Sequence, residues 1–441
     1  MTSATTGQSV SPPSSSLARI LSRIPHAPPE RQPIEARRLF QNSLVRPTAP
    51  ESISCTLHFR PTPLESNSSA KHRGWGGAWD LFSQAICFVV LAGVLLLSGP
   101  AHAQSRRKII INQDCSGPGG SNMQTLLVLI QSPQVEVLGI TVVSGNAWRD
   151  EEVAHTLRLL EIIGRTDIPV LPGAVFPLVR TPEEARLWQD QYGKVGFAGA
   201  WDARWWHEPF VIPALPEGAP TTEPSTEDAA HFLIRMVHKF PHEVTVYEGG
   251  PMTNLAIATA IDPQFPALAQ ELVFMGGSLH PQTDNPEFSN TPRHEFNFWF
   301  DPEAANKVLR APWKKITGTT VDISIKTRLT AEMIEEISAA NTPVAKYVAK
   351  YFQPGLGSDY MWDELAAAAW LDPAIITNRD TLYMAVDIDD GANYGNTLTW
   401  SARDKPKLPV REVEVLVDLD KEKFYREFIR LMTGPTPGAQ K

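Results

Sequence analysis

Asp114 is the acid in this chain best placed to do chemistry. It follows an apolar run, Arg107 to Asn112 (RKIIIN), precedes a Gly/Pro loop (CSGPGGS) and has Asn112 two residues before it. A carboxylate there can ligate a metal or take a proton. It can also accept backbone N–H bonds from its own loop, the slightly better reading of the position taken alone. Further polar groups stand in the segments that follow apolar runs: Asn122 beyond the same loop, Asn146 in Ser-Gly-Asn, then Asn290, Glu295 and Asn297. Asn146 also suits an ordinary turn. Asp363, opening DELAAAAWL, also suits a helix start.

Rival motifs fail on spacing. Gly117-Pro118-Gly119-Gly120 lacks the Lys-Ser/Thr of a phosphate loop and the G-x-G-x-x-G pattern. His238 and His242 are four apart, but Pro241 interrupts the helix that would pair them on zinc. No G-x-S-x-G is present, so a serine hydrolase has no nucleophile elbow. The net charge of −9 argues against a general grip on nucleic acid, which needs clustered Lys and Arg.

The elements that must position these residues alternate. Strands are expected at 107–112, 135–143 (VEVLGITVV), 168–171, 243–247 (EVTVY), 271–275 (ELVFM) and 412–417. Helices are expected at 122–132, 150–163, 226–239, 253–260 and 420–433, the second from the stripe Val153, Leu157, Leu160 and Ile163. Asp262-Pro263, Asp301-Pro302 and Asp372-Pro373 read as helix starts. Residues 181–225, with Trp188, Trp201, Trp205, Trp206 and several prolines, read as a long excursion over the sheet. The βαβ order predicts an α/β fold with a single open, mainly parallel (mixed) sheet and helices on both faces. Ligands of such sheets bind beyond the carboxyl ends of the strands, where the polar residues gather.

The first 103 residues are unlike the rest. They carry 9 Lys/Arg against 5 Asp/Glu, whereas residues 104–441 carry 31 against 44. Residues 1–70 are rich in Pro, Ser, Thr and Arg without periodicity, the composition of a disordered leader. Residues 71–103 have a basic start, an apolar run from Ile86 to Leu97 and an exit at Ala101-His102-Ala103. That run is shorter than the ~20 residues of a membrane span. It reads as a secretory signal cut before Gln104, leaving a secreted or periplasmic domain at 104–441 with no stable membrane association. That domain keeps one cysteine, Cys115, and so has no internal disulfide.

Eight segments stand in order over 107–430: IIINQD…SNMQTLLVLI, VEVLGITVVSGNA, LRLLEIIGRTDIPVLPGA, GGPMTNLAIA, VFMGG, HEFNFWFDPEAA, WDELAAAAWLDP and VEVLVDLDKEKF. In this order they resemble the inosine–uridine-preferring nucleoside hydrolases. The resemblance implies a Ca²⁺-dependent N-ribosidase acting on a small nucleoside, in a fold whose members are commonly dimers or tetramers. It implies that Asp114 is both metal ligand and general base. Asn122, the Gly249 carbonyl and Asp363 would complete the metal set. Asn146, Asn290, Glu295 and Asn297 would hold the ribose, and Trp362 or the tryptophans of the excursion would stack on the base. The chain departs from the family pattern. The opening DxD reads Asn112-Gln113-Asp114 with a longer loop after it, the Asp-Asp pair reads Ser121-Asn122, and the histidine before the late aspartate is Trp362. These departures keep open a second reading, a catalytically weak or inactive nucleoside- or ribose-binding protein of the same fold.

Overall fold

In the computed structural model, Ile109, Ile110 and Ile111 are wholly inaccessible to solvent, so the strand that carries them must be covered on both faces. Parallel strands demand this, because their crossovers lay helices on each side. The structure describes residues 106–285, 288, 294–352 and 360–440. The leader expected at 1–70, the signal expected at 71–103 and Asn290 lie outside the described residues. Among those described, no helix is long and apolar enough to cross a membrane.

Among the described residues nine strands form one sheet: β1 (Arg107–Gln113), β2 (Val135–Val142), β3 (Val170–Pro172), β4 (Val244–Glu248), β5 (Glu271–Met275), β6 (Ile316–Thr319), β7 (Ile376–Val386), β8 (Thr397–Trp400) and β9 (Arg411–Leu419). Their order is β3-β2-β1-β4-β5-β6-β9-β7-β8. The first seven in that order run parallel, and β7 pairs antiparallel with both β9 and β8. The expected mainly parallel, mixed sheet is what forms.

Side-chain alternation along β1 sorts the core into two layers. Ile109 and Ile111 join the apolar cluster of helices Ser121–Ile130, Arg149–Ile163, Trp362–Leu371 and Lys421–Thr433. Ile110 joins that of helices Ala229–Lys239, Thr253–Ile261 and Pro302–Leu309 on the other face. The local signals explain several helix starts. Asp228 accepts from the N–H groups of Ala230 and His231, and Asp301 from that of Ala304. Asp372 caps only a 3-10 turn, Pro373–Ile375. Asp262 departs from expectation. It ends helix Thr253–Ile261, and its carboxylate accepts from Gln264 N and pairs with His238, so the next helical turn begins only at Phe265. His238 is thereby occupied on its own side of the fold.

The 181–225 excursion holds a helix, Pro182–Tyr192, closed by a reciprocal capping box between Thr181 and Glu184. Below it Trp148, Trp201, Trp299 and Phe300 form a third apolar cluster. Trp201 stacks on Phe300 with ring centroids 4.1 Å apart, so it is core, while Trp205 and Trp206 are exposed. The distal part of the excursion is clamped to helix Arg149–Ile163. His155 Nδ1 pairs with Glu217, Arg158 Nε donates to the Glu217 carbonyl, and Thr221 and Thr222 N–H donate to Glu161.

Burial works against the charge on His155, but hydrogen bonds to Glu151 and Glu217 outweigh it and its pKa is raised above 6.5. A raised folded value means that the imidazolium stabilises the fold fully below about 6.5 and that this contribution is lost as pH climbs through the folded value. His155→Gln should therefore lower the thermal midpoint relative to the native chain most near about pH 6 and least near about pH 9. A midpoint difference that does not change with pH would remove the ion pair from the clamp.

Candidate functional site

Adjacent strands β2, β1, β4 and β5 end at the same edge of the sheet, and each hands a polar group to the space beyond it. β1 supplies Asn112 and Gln113, and Asp114 follows it directly. The turn after β2 supplies Asn146, that after β4 the Gly249 carbonyl, and the segment after β5 supplies Glu295 and Asn297. Two helix starts complete the ring, Ser121-Asn122 and Asp363-Glu364.

The chain brings these groups into contact. Asn122 Nδ2 lies 2.7 Å from Asp114 Oδ1, 2.7 Å from Gln113 Oε1 and 3.3 Å from the Gly249 carbonyl. Asn146 holds Asp114 from the other side. Its N–H donates to Asp114 Oδ2 at 3.0 Å, and its amide donates to the Asp114 carbonyl and to Asn122 Oδ1. Asn297 Nδ2 donates to the Gly249 and Met275 carbonyls. The Glu295 carboxylate accepts from the N–H groups of Gly277, Asn297 and Phe298, which caps helix Phe296–Phe300. Asp363 is anchored through its backbone: its N–H donates to Ser121 Oγ and its carbonyl accepts from the Tyr247 hydroxyl. Asp363 Oδ1 is buried with no hydrogen-bond partner among the described residues. Trp362 is half-buried and packs on Tyr360 and Phe288.

Electrostatics link the two aspartates. Burial, then the nearby Asp363 charge, push the Asp114 carboxyl well above the ordinary range. Burial pushes Asp363 up to about 8, with Glu295 adding and Ser121 and Gln113 opposing. Among the described residues neither carboxyl has a lysine or arginine partner, and burial disfavours its charged form. The Asn122 amide offers two N–H hydrogens to three oxygens, so the centre of the ring selects an electropositive group. Among the described residues no three His, Cys, Asp or Glu side chains gather as a ligand set. The donors that fit a cation are instead mixed: the Asp114 carboxylate, the unpartnered Asp363 Oδ1, the Gly249 carbonyl, Gln113 Oε1 and, after a turn of its amide, Asn122 Oδ1. An all-oxygen set of this kind suits a hard divalent ion.

Three contributors escape a reading of the sequence. Gln113 sits inside the opening motif but is hidden by its position between two obvious residues. Glu248 ends an otherwise apolar strand, VTVYE, an irregularity that is the one available signal. Glu364 lies in the first turn of a helix, where an acid needs no other explanation.

Close approach makes one glycine indispensable. A Cβ on Gly145 would lie 2.1 Å from Asp114 Oδ2 and 2.8 Å from the Pro251 ring. Gly145→Ala should therefore destabilise the fold by about 1–3 kcal/mol through overpacking, seen as a lowered thermal midpoint. An unchanged midpoint would mean that the Asp114 carboxylate does not rest against this turn.

Comparison with known proteins follows the same ground. The sequence profile of the inosine-uridine preferring nucleoside hydrolases matches residues 109–426. An uncharacterized protein of Schizosaccharomyces pombe is 29% identical over 368 residues, covering 78% of this chain and 89% of its own. A pyrimidine-specific ribonucleoside hydrolase of Photobacterium profundum is 32% identical over 245 residues, 55% of this chain and 70% of its own. A plant nucleoside hydrolase of known structure shares the fold with a TM-score of 0.59 and 24% identity, over 75% of this chain and 99% of that one.

Proposed function

The chain belongs to the inosine-uridine preferring nucleoside hydrolase family, enzymes that cleave the N-glycosidic bond of nucleosides, and from that premise we propose a Ca²⁺-dependent ribonucleoside hydrolase with Asp114 as general base. The observation that carries this reading is the ring of oxygens around Asn122 Nδ2, with the buried Asp363 carboxyl near enough to Asp114 to raise its pKa. Asp114, Asn122, Asp363 and the Gly249 carbonyl are the groups that would hold the ion. Bound there, Ca²⁺ would make a coordinated water more acidic and offer open positions to the vicinal ribose hydroxyls.

The protein's own groups do the rest. Asp114, oriented by the Asn146 N–H and amide, takes the proton of the water as its oxygen attacks C1′. The C1′–N bond breaks as the new C–O bond forms, and the leaving base draws its proton from solvent. Glu295 and Asn297, fixed at the start of helix Phe296–Phe300, present oxygens to a sugar that gains positive charge. Asn146 completes the ribose contacts, and the family resemblance alone adds Asn290 to them. Trp362, on its aromatic support of Tyr360 and Phe288, supplies a stacking face for the base, worth about 1–3 kcal/mol. The basic start, apolar run and A-x-A exit of residues 71–103 support export, with the enzyme acting on extracellular or periplasmic nucleosides.

Incubating the purified chain with inosine, uridine and adenosine in Ca²⁺ should release free ribose from at least one of them. Asp114→Ala should lower that rate by at least about 10²-fold and weaken Ca²⁺ binding. Survival of activity in the variant would take the base role from Asp114.

One observation favours a second reading: an amide, not a carboxylate, stands at 122, with its nitrogen turned to the centre. A chain that binds nucleoside or ribose with little turnover fits this, and measurable binding without ribose release from any nucleoside would favour it. Asn122→Asp adds one negative charge to the proposed set and should tighten Ca²⁺ binding by about tenfold in calorimetry. An unchanged affinity would exclude Asn122 from the ion's ligands.

A further inference from the structure

Asn112 and Ser121 are two of the three positions, with Asn122, at which the family pattern carries an aspartate and this chain a neutral side chain. Asn112 and Ser121 each touch a buried glutamate from another element. Asn112 Nδ2 donates to both carboxylate oxygens of Glu248, at 2.8 and 2.9 Å, and Asn112 Oδ1 accepts from Thr141 and Asn254. Ser121 Oγ donates to Glu364 Oε2 at 2.5 Å while accepting from Asp363 N. Glu248 and Glu364 are 0% and 1% exposed. An aspartate at 112 would set two carboxylates about 3 Å apart in a dry interior, with the amide donors gone. Asn112 with Glu248, and Ser121 with Glu364, are therefore mutually dependent choices.

Each glutamate also grips a backbone that faces the site. Glu248 Oε1 accepts from Gly250 N at 3.0 Å, on the far side of the peptide unit that follows Gly249. That bond aims the Gly249 carbonyl at Asn122 and Asn297. Glu364 holds the Ser121 hydroxyl that receives the Asp363 N–H, and so ties the start of helix Trp362–Leu371 to the start of helix Ser121–Ile130.

We propose that Glu248 and Glu364 are positioning residues that supply, from neighbouring elements, the carboxyl groups absent at 112 and 121, and so preserve the aim of the Gly249 carbonyl and of Asp363. The carboxyl group stands one hydrogen bond away from the neutral residue in each case. This inference rests on the cation-site reading above.

Two charge-swap cycles test it: Asn112→Asp, Glu248→Gln and the double variant; Ser121→Asp, Glu364→Gln and the double variant. Two quantities are read, the thermal midpoint in chelator and the Ca²⁺ dissociation constant by calorimetry. Each single change should lower the midpoint by about 5–10 °C. Glu248→Gln and Glu364→Gln should weaken Ca²⁺ by about tenfold or more. In each double variant the carboxylate returns to the first position and the new glutamine amide donates to it. The doubles should recover the midpoint to within about 2 °C and the dissociation constant to within about threefold, because the pairs are coupled. Additive losses in the doubles overturn the proposal. If a single variant does not fold, a soluble double carrying the same change is the expected rescue, and an insoluble double counts against it. A native chain that takes up no Ca²⁺ sinks the cation reading instead, and the midpoint cycles then decide the pairings alone.

Discussion

Four carboxyl groups, those of Asp114, Glu248, Asp363 and Glu364, are buried at one edge of the parallel sheet, and among the described residues none has a lysine or arginine partner. Two unit charges 4 Å apart repel by about 4 kcal/mol even at an effective dielectric near 20. The fold answers with amides, hydroxyls and backbone N–H groups: Asn112, Asn122, Asn146, Ser121 and Gly250 all donate into the cluster. These donors orient the acids without neutralising them. A divalent cation would do so, which is the physical basis of the cation site proposed above.

The sheet makes this concentration possible. Strands β2, β1, β4 and β5 are neighbours in space although their sequence order is interleaved with helices. Parallel pairing in register sets Asn112 opposite both Thr141 and Glu248, so three polar side chains meet across three strands at one level. The two helix starts reach the cluster from the adjoining layer, which explains why both carry an acid or amide in the first turn where backbone N–H groups are free. The excursion over the sheet is held by its own clamp and by a small core that it shares with Trp148, Trp299 and Phe300, and its buried tryptophans are spent on packing.

Much of this was legible in the residues. The runs of Ile109–Ile111 and of Val135–Val142 require strands covered on both faces, the Asp-Pro pair at 301 announces a helix, and polar residues falling after strands locate the site on general grounds. The resemblance then singled out Asp114, Asn122, Asn146, Gly249, Glu295, Asn297 and Asp363, all of which lie at one edge of the sheet. The antiparallel addition of β7 and β8 was less accessible. Its burial alternates irregularly, and β7 bulges at two places along β9.

What the chain alone determined is the inventory: which acids and amides exist, that they follow strands, and that aspartates are missing at 112, 121 and 122. What only the tertiary structure decided is who faces whom. Glu248 is 136 residues from Asn112 and Glu364 is 243 from Ser121. Hydrogen bonds over such separations leave no periodic trace in the sequence, because the sheet order and the crossing of two helices, not local spacing, bring the partners together. The neutral residues at 112 and 121 are visible in the sequence, but the buried glutamate that each one touches, on another strand and on another helix, is a property of the fold.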